Sequence, residues 1–130
     1  MILLDTNICI ANLNGDPRVE QPMRNFSTHL RIPAIVVAEL RYGAAKSARR
    51  DENNAKLDDL LAWAPGIDFD IAAARIAGDV RAQLRAMGKP TGMFDLLIAA
   101  TALRHDATLV TNNTRHFENI PNLKLDNWLR

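Results

Sequence analysis

The sequence predicts an α/β fold in a single domain that spans residues 1–130. Short apolar, strand-like runs alternate along the chain with longer helix-like segments, an order typical of a parallel sheet covered by helices. The first run, from Met1 to Leu4, is short enough for a buried strand and leads directly into Asp5. A chain of 130 residues can bury a core of its own without disulfides or a structural metal.

The first half of the chain contains three helix-like segments around a short extended piece. A helix is predicted over 8–13, directly after the first strand. Asp16 and Pro17 form a helix start, with Asp16 as the N-cap and Pro17 at the first helical position. Residues 31–33 are predicted to be extended, and an amphipathic helix follows over 34–45.

The middle of the chain alternates in the same way. A helix is predicted over 51–63 and ends at the Pro-Gly pair that follows it. Residues 67–69 alternate between apolar and polar, as in a strand with one buried side. The clearest helix in the sequence covers 73–87, where apolar residues recur at steps of three and four until Gly88 ends it.

The last part of the chain is predicted to complete the core. Residues 94–103 are apolar almost all round, which indicates a helix buried on most sides, with Asp95 in its first turn. A second buried strand is predicted over 108–111, and a last short strand over 123–125. No internal repeat or low-complexity linker interrupts this order.

Charge alone does not identify a partner, because 16 Lys and Arg nearly balance 15 Asp and Glu. The basic residues are unevenly spread, however. Two stretches hold clusters of them: Arg41, Lys46, Arg49 and Arg50, then Arg81, Arg85 and Lys89. Such clusters suit a polyanionic substrate, although a charge run is more often a solvated helix face.

A cytoplasmic location is expected from cysteine content and hydropathy. The one cysteine, Cys9, excludes a disulfide within the chain and fits a reducing cytosol. We expect Cys9 to be buried on the first helix. No charged leader with an apolar core is evident, and no apolar run reaches the length that spans a membrane.

Three acidic residues stand at informative places. Asp5 lies where the first strand leaves the core, and open α/β sheets bind ligands outside the carboxyl ends of their strands. Glu39 interrupts an otherwise apolar helix face, where an ordinary surface Glu is the alternative. Asp95 lies near the positive end of its helix, where a purely structural acid that complements the dipole is equally plausible.

Three carboxylates drawn together repel one another unless a cation neutralises them. Oxygen ligands select Mg²⁺ or Mn²⁺, which keeps several waters and leaves room for a substrate phosphate. Such an ion lowers the pKa of a bound water and stabilises the transition state of phosphodiester cleavage. The histidines, His29, His105 and His116, have no zinc-ligand spacing, which argues against zinc chemistry.

Four motifs resemble a known family. They are Leu-Leu-Asp-Thr-Asn at the start, Val-Ala-Glu-Leu around Glu39, Gly-Met-Phe-Asp-Leu-Leu-Ile-Ala-Ala around Asp95, and Leu-Val-Thr-Asn-Asn-Thr-Arg-His-Phe near the C-terminus. In this order and spacing, over almost the whole chain, they resemble a PIN domain. More specifically, they resemble a VapC-type toxin of a bacterial toxin-antitoxin pair.

The resemblance implies a three-layer α/β/α fold with a central, mostly parallel sheet. It also implies an endoribonuclease in which Asp5, Glu39 and Asp95 are catalytic, with Asp5 and Asp95 as ligands of Mg²⁺ or Mn²⁺. Water activated by the ion would cleave RNA, with transfer or ribosomal RNA as the target class. Many PIN domains have a fourth acid where this chain has Asn113, so one well-ordered ion is expected without substrate. Glu118 is either a partial replacement or a surface residue.

Other residues are assigned supporting roles. The hydroxyl groups of Thr6 and Thr111 would hold a metal ligand or a water, or else serve as a helix cap and a strand-end hydrogen bond. Asn7 and Asn112 would fix the loops around the site, or simply satisfy turns. Three basic side chains would contact RNA phosphates, with solvated surface charge as the alternative for each: Arg85, Lys89 and Arg115.

The resemblance further implies two protein partners. A VapB-type antitoxin would lay an amphipathic segment in an apolar groove between the early helices and block the acidic site, often with a basic side chain. A second copy of the chain would form a homodimer, with twofold symmetry as the default.

Three other classes of protein share part of this pattern. A haloacid dehalogenase-like phosphatase needs a second Asp two residues after the first, and position 7 is Asn. A 5′ nuclease of replication or repair carries more acids and helical insertions than 130 residues can hold. A non-catalytic PIN-like binding module remains the alternative of a different class, and the presence of all three acids argues against it.

Overall fold

A five-stranded parallel sheet forms the centre of the protein. The computed structural model describes all residues from Met1 to Arg130. The strands lie in the order β3-β2-β1-β4-β5, and every neighbouring pair is parallel. Their bounds are β1 Ile2–Leu4, β2 Leu30–Pro33, β3 Gly66–Ile67, β4 Thr108–Val110 and β5 Lys124–Asp126. The predicted α/β class is confirmed.

Helices connect the strands and cover the sheet. Their bounds are α1 Thr6–Leu13, α2 Pro17–Asn25, α3 Ala34–Ala45, α4 Arg50–Trp63, α5 Ile71–Ala86, α6 Met93–Arg104 and α7 Thr114–Phe117. Helices α1 to α4 contact one another, as do α5 to α7, and α3 also meets α6. Because parallel crossovers are right-handed, the two groups cover opposite faces. The sheet is therefore the middle of three layers.

Several predicted boundaries are confirmed where local chemistry determines them. Asp16 caps α2 by accepting a hydrogen bond from the backbone N–H of Arg18, and Pro17 is the first helical residue. Helix α3 covers the predicted range 34–45. Gly88 follows α5 with a φ of +69°, a left-handed conformation that glycine adopts without the steric cost of a Cβ atom.

The first helix and the third strand have bounds different from those predicted. Helix α1 begins at Thr6 rather than at residue 8, because Oδ1 of Asp5 accepts a hydrogen bond from the N–H of Thr6. The strand predicted over 67–69 is only Gly66–Ile67. Beyond it the chain turns into α5, whose first turn is capped by Asp70 through the N–H of Ala73.

The C-terminal half contains two features that periodicity did not predict. Helix α6 is not buried at its first turn, where Phe94 is 60% exposed, because that turn extends beyond the residues that pack on the sheet. Helix α7 was not predicted at all, since it has only four residues and no periodic pattern. It is anchored by Phe117, whose side chain is completely buried.

The core lies on both faces of the two central strands. Leu3 and Leu4 of β1 and Leu109 of β4 have no exposed surface, and neither does Ile98 of α6. The predicted burial of Cys9 on α1 is confirmed, and that burial raises the pKa of its thiol. None of the helices combines the length and the apolar character needed to cross a bilayer.

Candidate active site

Asp5 leaves β1 at the carboxyl edge of the sheet and is almost completely buried, with 4% of its surface exposed. Three donors satisfy its carboxylate. The N–H of Thr6 donates to Oδ1 at 2.8 Å, and the hydroxyl of Thr111 donates to Oδ2 at 2.7 Å. The third donor is Nδ2 of Asn7, at 3.3 Å from Oδ2. The burial of this charge is therefore compensated by hydrogen bonds.

Thr111 and Asn7 also connect the loops that follow β1 and β4. The completely buried Thr111 accepts a hydrogen bond at Oγ1 from the N–H of Asn113, at 3.0 Å. Oδ1 of Asn7 accepts from the N–H of Asn112 at 2.8 Å. The structure thus brings these residues together around Asp5, at the loops where the sequence predicted supporting roles.

Glu39 is half-buried on α3 and faces α1. The hydroxyl of Thr6 donates to its Oε1 at 3.1 Å, so Thr6 uses its backbone for Asp5 and its side chain for Glu39. Burial raises the pKa of Glu39, and the negative charges of Asp5 and Asp95 raise it further, whereas the hydrogen bond from Thr6 opposes the rise.

Asp95 lies in the first turn of α6 and is also half-buried. Nδ1 of His116, from α7, lies 3.1 Å from Oδ2 of Asp95. Burial is the largest cause that raises the pKa of Asp95, followed by the charge of Asp5, while His116 acts in the opposite direction. Asp95 is therefore under the influence of the charge of Asp5 as well as at the positive end of its helix.

The charge of Asp5 raises the pKa of both Glu39 and Asp95, and the charge of Asp95 raises the pKa of Glu39. No three acidic, histidine or cysteine side chains, however, are close enough to hold one ion together as they stand. Electrostatic repulsion acts over longer distances than a metal-ligand bond, so the two observations agree. Glu39 and Asp95 each keep one oxygen without a hydrogen bond. This oxygen-only set fits Mg²⁺ or Mn²⁺, since such ions use one or two carboxylates and several waters.

Asn113 and Glu118 differ from the inner residues in being exposed. The side chain of Asn113 makes no hydrogen bond, and only its backbone N–H contacts Thr111. Glu118 follows α7 and forms no hydrogen bond or ion pair. Neither residue adds a charge that raises the pKa of Glu39 or Asp95.

A basic cleft of about 390 Å³ opens beside Asp95. Lys89, Arg115 and His116 line it together with Asp95. Arg85 lines an adjacent cleft of about 430 Å³, which shares Pro90 and Thr91 with the first. The three basic residues proposed from the sequence therefore lie along one surface, and none of them forms an ion pair: Arg85, Lys89 and Arg115.

A second, more apolar cleft of about 250 Å³ lies between α1, α3 and α4, on the side of Glu39. Its walls include Ile10, Leu13, Leu40 and Leu57. The family resemblance implies an apolar groove between the early helices, and this cleft lies in such a place. Another cleft, of about 510 Å³, lies around Trp63 on another part of the surface and contains none of the three acids.

His116 is the member of the site that sequence reasoning missed, because it was considered only as a zinc ligand. Its contact with Asp95 crosses 21 positions of the sequence. The one available signal was its place in the last motif, a few residues after a buried strand ends at the same sheet edge as Asp5.

The sequence matches a known protein family and several of its named members. The PIN domain family matches residues 2–123. The chain is similar to ribonuclease VapC2 of Rickettsia felis, at 41% identity over 131 residues that cover 97% of this chain and 96% of the relative. It is also similar to a tRNA(fMet)-specific endonuclease VapC of Shigella flexneri, at 36% identity over 127 residues with the same two coverages.

Comparison with solved structures agrees with the sequence relatives. The structure of VapBC2 from Rickettsia felis bound to a promoter DNA fragment contains a chain that matches with a TM-score of 0.92 and 40% identity. The match covers 98% of this chain and 99% of that chain. The similarity therefore extends over almost the whole fold.

Proposed function

Because this chain belongs to the PIN domain family, we propose that it is the toxin of a bacterial toxin-antitoxin pair and acts as an endoribonuclease. The relatives named as VapC ribonucleases, at 36% and 41% identity, support this assignment. The observation that carries it is the grouping of three acids at the carboxyl edge of the sheet. Thr6 donates hydrogen bonds to both Asp5 and Glu39, and the charge of Asp5 raises the pKa of Asp95.

We assign Asp5 and Asp95 as ligands of a divalent ion, Mg²⁺ or Mn²⁺, and all three acids as catalytic. When bound, the ion supplies Lewis-acid chemistry that makes water more acidic and stabilises the negative charge of the phosphodiester transition state. Glu39 has a free oxygen, Oε2, that can accept a proton from the attacking water. Its raised pKa brings it closer to the range in which a general base works well.

The same proposal gives the basic surface a role in substrate binding. Lys89 and Arg115 bind RNA phosphates in the cleft beside Asp95, and Arg85 extends this contact along the adjacent cleft. The substrate we favour is transfer RNA, which one relative is named for, with ribosomal RNA as the second choice. A loop suits cleavage because its bases are unstacked and accessible. Such a toxin acts in the cytoplasm, where these RNAs are found.

The protein partners follow from the apolar cleft beside Glu39. An amphipathic segment of a VapB-type antitoxin fits between α1, α3 and α4, with a basic side chain directed toward the carboxylates. The similar solved structure is a VapBC complex, which supports a partner of this kind. We also propose a homodimer with twofold symmetry, the commonest arrangement for two copies of one chain.

The test is cleavage of labelled transfer RNA by the purified protein in Mg²⁺, in Mn²⁺ and in chelator. Cleavage should require the ion, Asp5→Asn should abolish it, and Glu39→Gln should reduce it by about 100-fold or more. Asp68→Asn is the matched control, because Asp68 also follows a strand but is exposed and has no ion pair. Circular dichroism should show that each variant is folded.

Three outcomes would count against the proposal. Cleavage that persists in chelator, or full activity of Asp5→Asn, would exclude the metal mechanism. RNA binding without any cleavage would favour the non-catalytic module. In cells, expression without an antitoxin should arrest growth and Asp95→Ala should relieve the arrest.

A further inference from the structure

His116 makes the one side-chain hydrogen bond received by Asp95. Because a carboxylate only accepts hydrogen bonds, the proton of this contact lies on Nδ1 of His116, which donates to Oδ2 of Asp95 at 3.1 Å. The other oxygen of Asp95, Oδ1, has no donor. Asp5 differs, since three donors hold its two oxygens. The orientation of Asp95 therefore depends on a single neighbour.

The position of His116 is itself well determined, although its side chain is 57% exposed. The hydroxyl of Thr91 donates to the backbone carbonyl of His116 at 3.0 Å. The N–H of His116 donates to the carbonyl of Asn113 at 3.0 Å. The next residue, Phe117, is completely buried. These contacts hold the backbone of His116 against the core and against the loop that precedes α6.

We propose that His116 is a positioning residue, which holds Oδ2 of Asp95 so that Oδ1 remains available to the divalent ion. This inference rests on the proposed metal-dependent function. It adds to that site a residue that is not one of the three acids. Groups that orient a ligand typically change metal affinity by 10- to 100-fold when they are removed, although they do not touch the ion. His116 acts through Asp95 and is not itself a metal ligand.

An alternative role for His116 is direct contact with RNA, because it lines the basic cleft with Lys89 and Arg115. The two roles differ in what they affect. A positioning residue changes the affinity for the ion in the absence of RNA. A phosphate contact changes KM for RNA and leaves the affinity for the ion unaltered.

The experiment measures Mn²⁺ binding to the purified protein without RNA, by electron paramagnetic resonance of the free ion. His116→Ala should weaken binding by about 10-fold or more. His116→Asn should restore most of the affinity, since its amide nitrogen takes nearly the place of Nδ1. His116→Gln should restore less, because its amide nitrogen lies nearer the place of Nε2. His29→Ala is the control, since His29 is exposed and makes no side-chain hydrogen bond.

A second variant tests the attachment of α7. Thr91→Val removes the hydroxyl that holds the His116 carbonyl and should weaken Mn²⁺ binding less than His116→Ala does. In the His116→Ala background the same change should have no further effect, because both act through one contact. In cleavage assays, the loss of kcat in His116→Ala should diminish as Mn²⁺ approaches saturation.

The results distinguish failure of this inference from failure of the proposed function. Wild-type affinity for Mn²⁺ in folded His116→Ala would overturn the positioning role, and so would equal loss in the Asn and Ala variants. A higher KM for RNA with unchanged Mn²⁺ affinity would assign His116 to substrate contact instead. If the wild-type protein neither binds Mn²⁺ nor cleaves RNA, the proposed function itself fails, and this inference fails with it.

Discussion

Glu39 and Asp95 are acids in surroundings that disfavour their charge. Each is half-buried, each has a single hydrogen-bond donor, and each lies in the field of Asp5. Repulsion of this kind lowers the stability of the folded chain when no cation is bound. The same arrangement favours cation binding, because the ion removes the repulsion. At the scale of the residue, the candidate site therefore lowers the stability of the metal-free chain and raises its affinity for a cation.

Glu39→Gln should stabilise the metal-free protein near neutral pH. The pKa of Glu39 is raised above its ordinary value of 4.5, so the folded state binds this proton more tightly than the unfolded state does. The free energy of unfolding of the wild type should thus fall as pH rises through the ordinary pKa toward the raised one. The neutral Gln avoids this loss and can still accept the hydrogen bond from Thr6. Thermal unfolding in chelator, from about pH 4 to pH 7, measures the effect.

The gain in melting temperature should be present near neutral pH and absent at the acidic end of the series. Excess Mg²⁺ should diminish it, because the ion favours the charged wild type. Glu118→Gln is the control, since Glu118 is exposed without an ion pair, and it should change little at any pH. An equal gain for Glu39→Gln at all pH values would contradict the electrostatic explanation.

At the scale of elements, the site depends on how the ends of β1 and β4 are joined. The hydroxyl of Thr111, directly after β4, reaches Asp5, directly after β1, and Asn7 of α1 reaches the loop at Asn112. Beyond them, Asn127 donates from the C-terminal segment to the side chain of Asn112 at 3.3 Å. The carboxyl ends of β1, β4 and β5 therefore belong to one connected network of hydrogen bonds.

Thr111→Val should weaken this junction and the activity together. It removes the shorter of the two hydrogen bonds to the buried Oδ2 of Asp5, and a hydrogen bond to a charged group contributes about 1.5–3 kcal/mol of unfolding free energy. Thr101→Val is the matched control: Thr101 is equally buried, but its hydroxyl donates to a helical carbonyl, that of Leu97. Urea unfolding and RNA cleavage should both distinguish the two variants. If the two variants lost the same unfolding free energy and the same activity, the hydrogen bond from Thr111 to Asp5 would contribute no more than that of any buried threonine.

The whole molecule separates its charges by surface, although its net charge is only +1. Acidic side chains converge at the carboxyl edge of the sheet, and basic side chains without ion pairs lie along the adjoining clefts. The apolar cleft opens on the other side of Glu39. A polyanion could thus reach the acidic centre along the basic clefts, and an amphipathic protein segment could reach it along the apolar cleft.

RNA binding should become less sensitive to salt when the basic cleft loses a cation. Each phosphate contact removed should lower the slope of log affinity against log salt by about 0.7 to 0.9. Lys89→Ala and Arg115→Ala should each show this change when transfer RNA binding is measured in chelator over a series of KCl concentrations. Arg75→Ala is the control, since Arg75 is exposed on α5 and lines neither basic cleft. Equal slopes for all three variants would exclude phosphate binding in this cleft.

Much of the fold was predictable because its signals are local. The cap of α2, the extent of α3 and the end of α5 at Gly88 each depend on a few neighbouring residues. The burial of the first strand and the position of Asp5 after it were also evident from a short apolar run. Short elements were harder: β3 and α7 have too few residues to show a period, and both depend on tertiary contacts.

By itself, the sequence determined the types of the main elements, the motifs of the family and the three acids. Only the tertiary structure decided which residues meet them. Thr111 and Asp5 are 106 positions apart, Thr6 and Glu39 are 33 apart, and Asp95 and His116 are 21 apart. Local periodicity records which side of an element is buried, but it does not record strand order. Because β4 pairs with β1, Thr111 at the end of β4 reaches Asp5 at the end of β1. Helix α7 likewise brings His116 to Asp95.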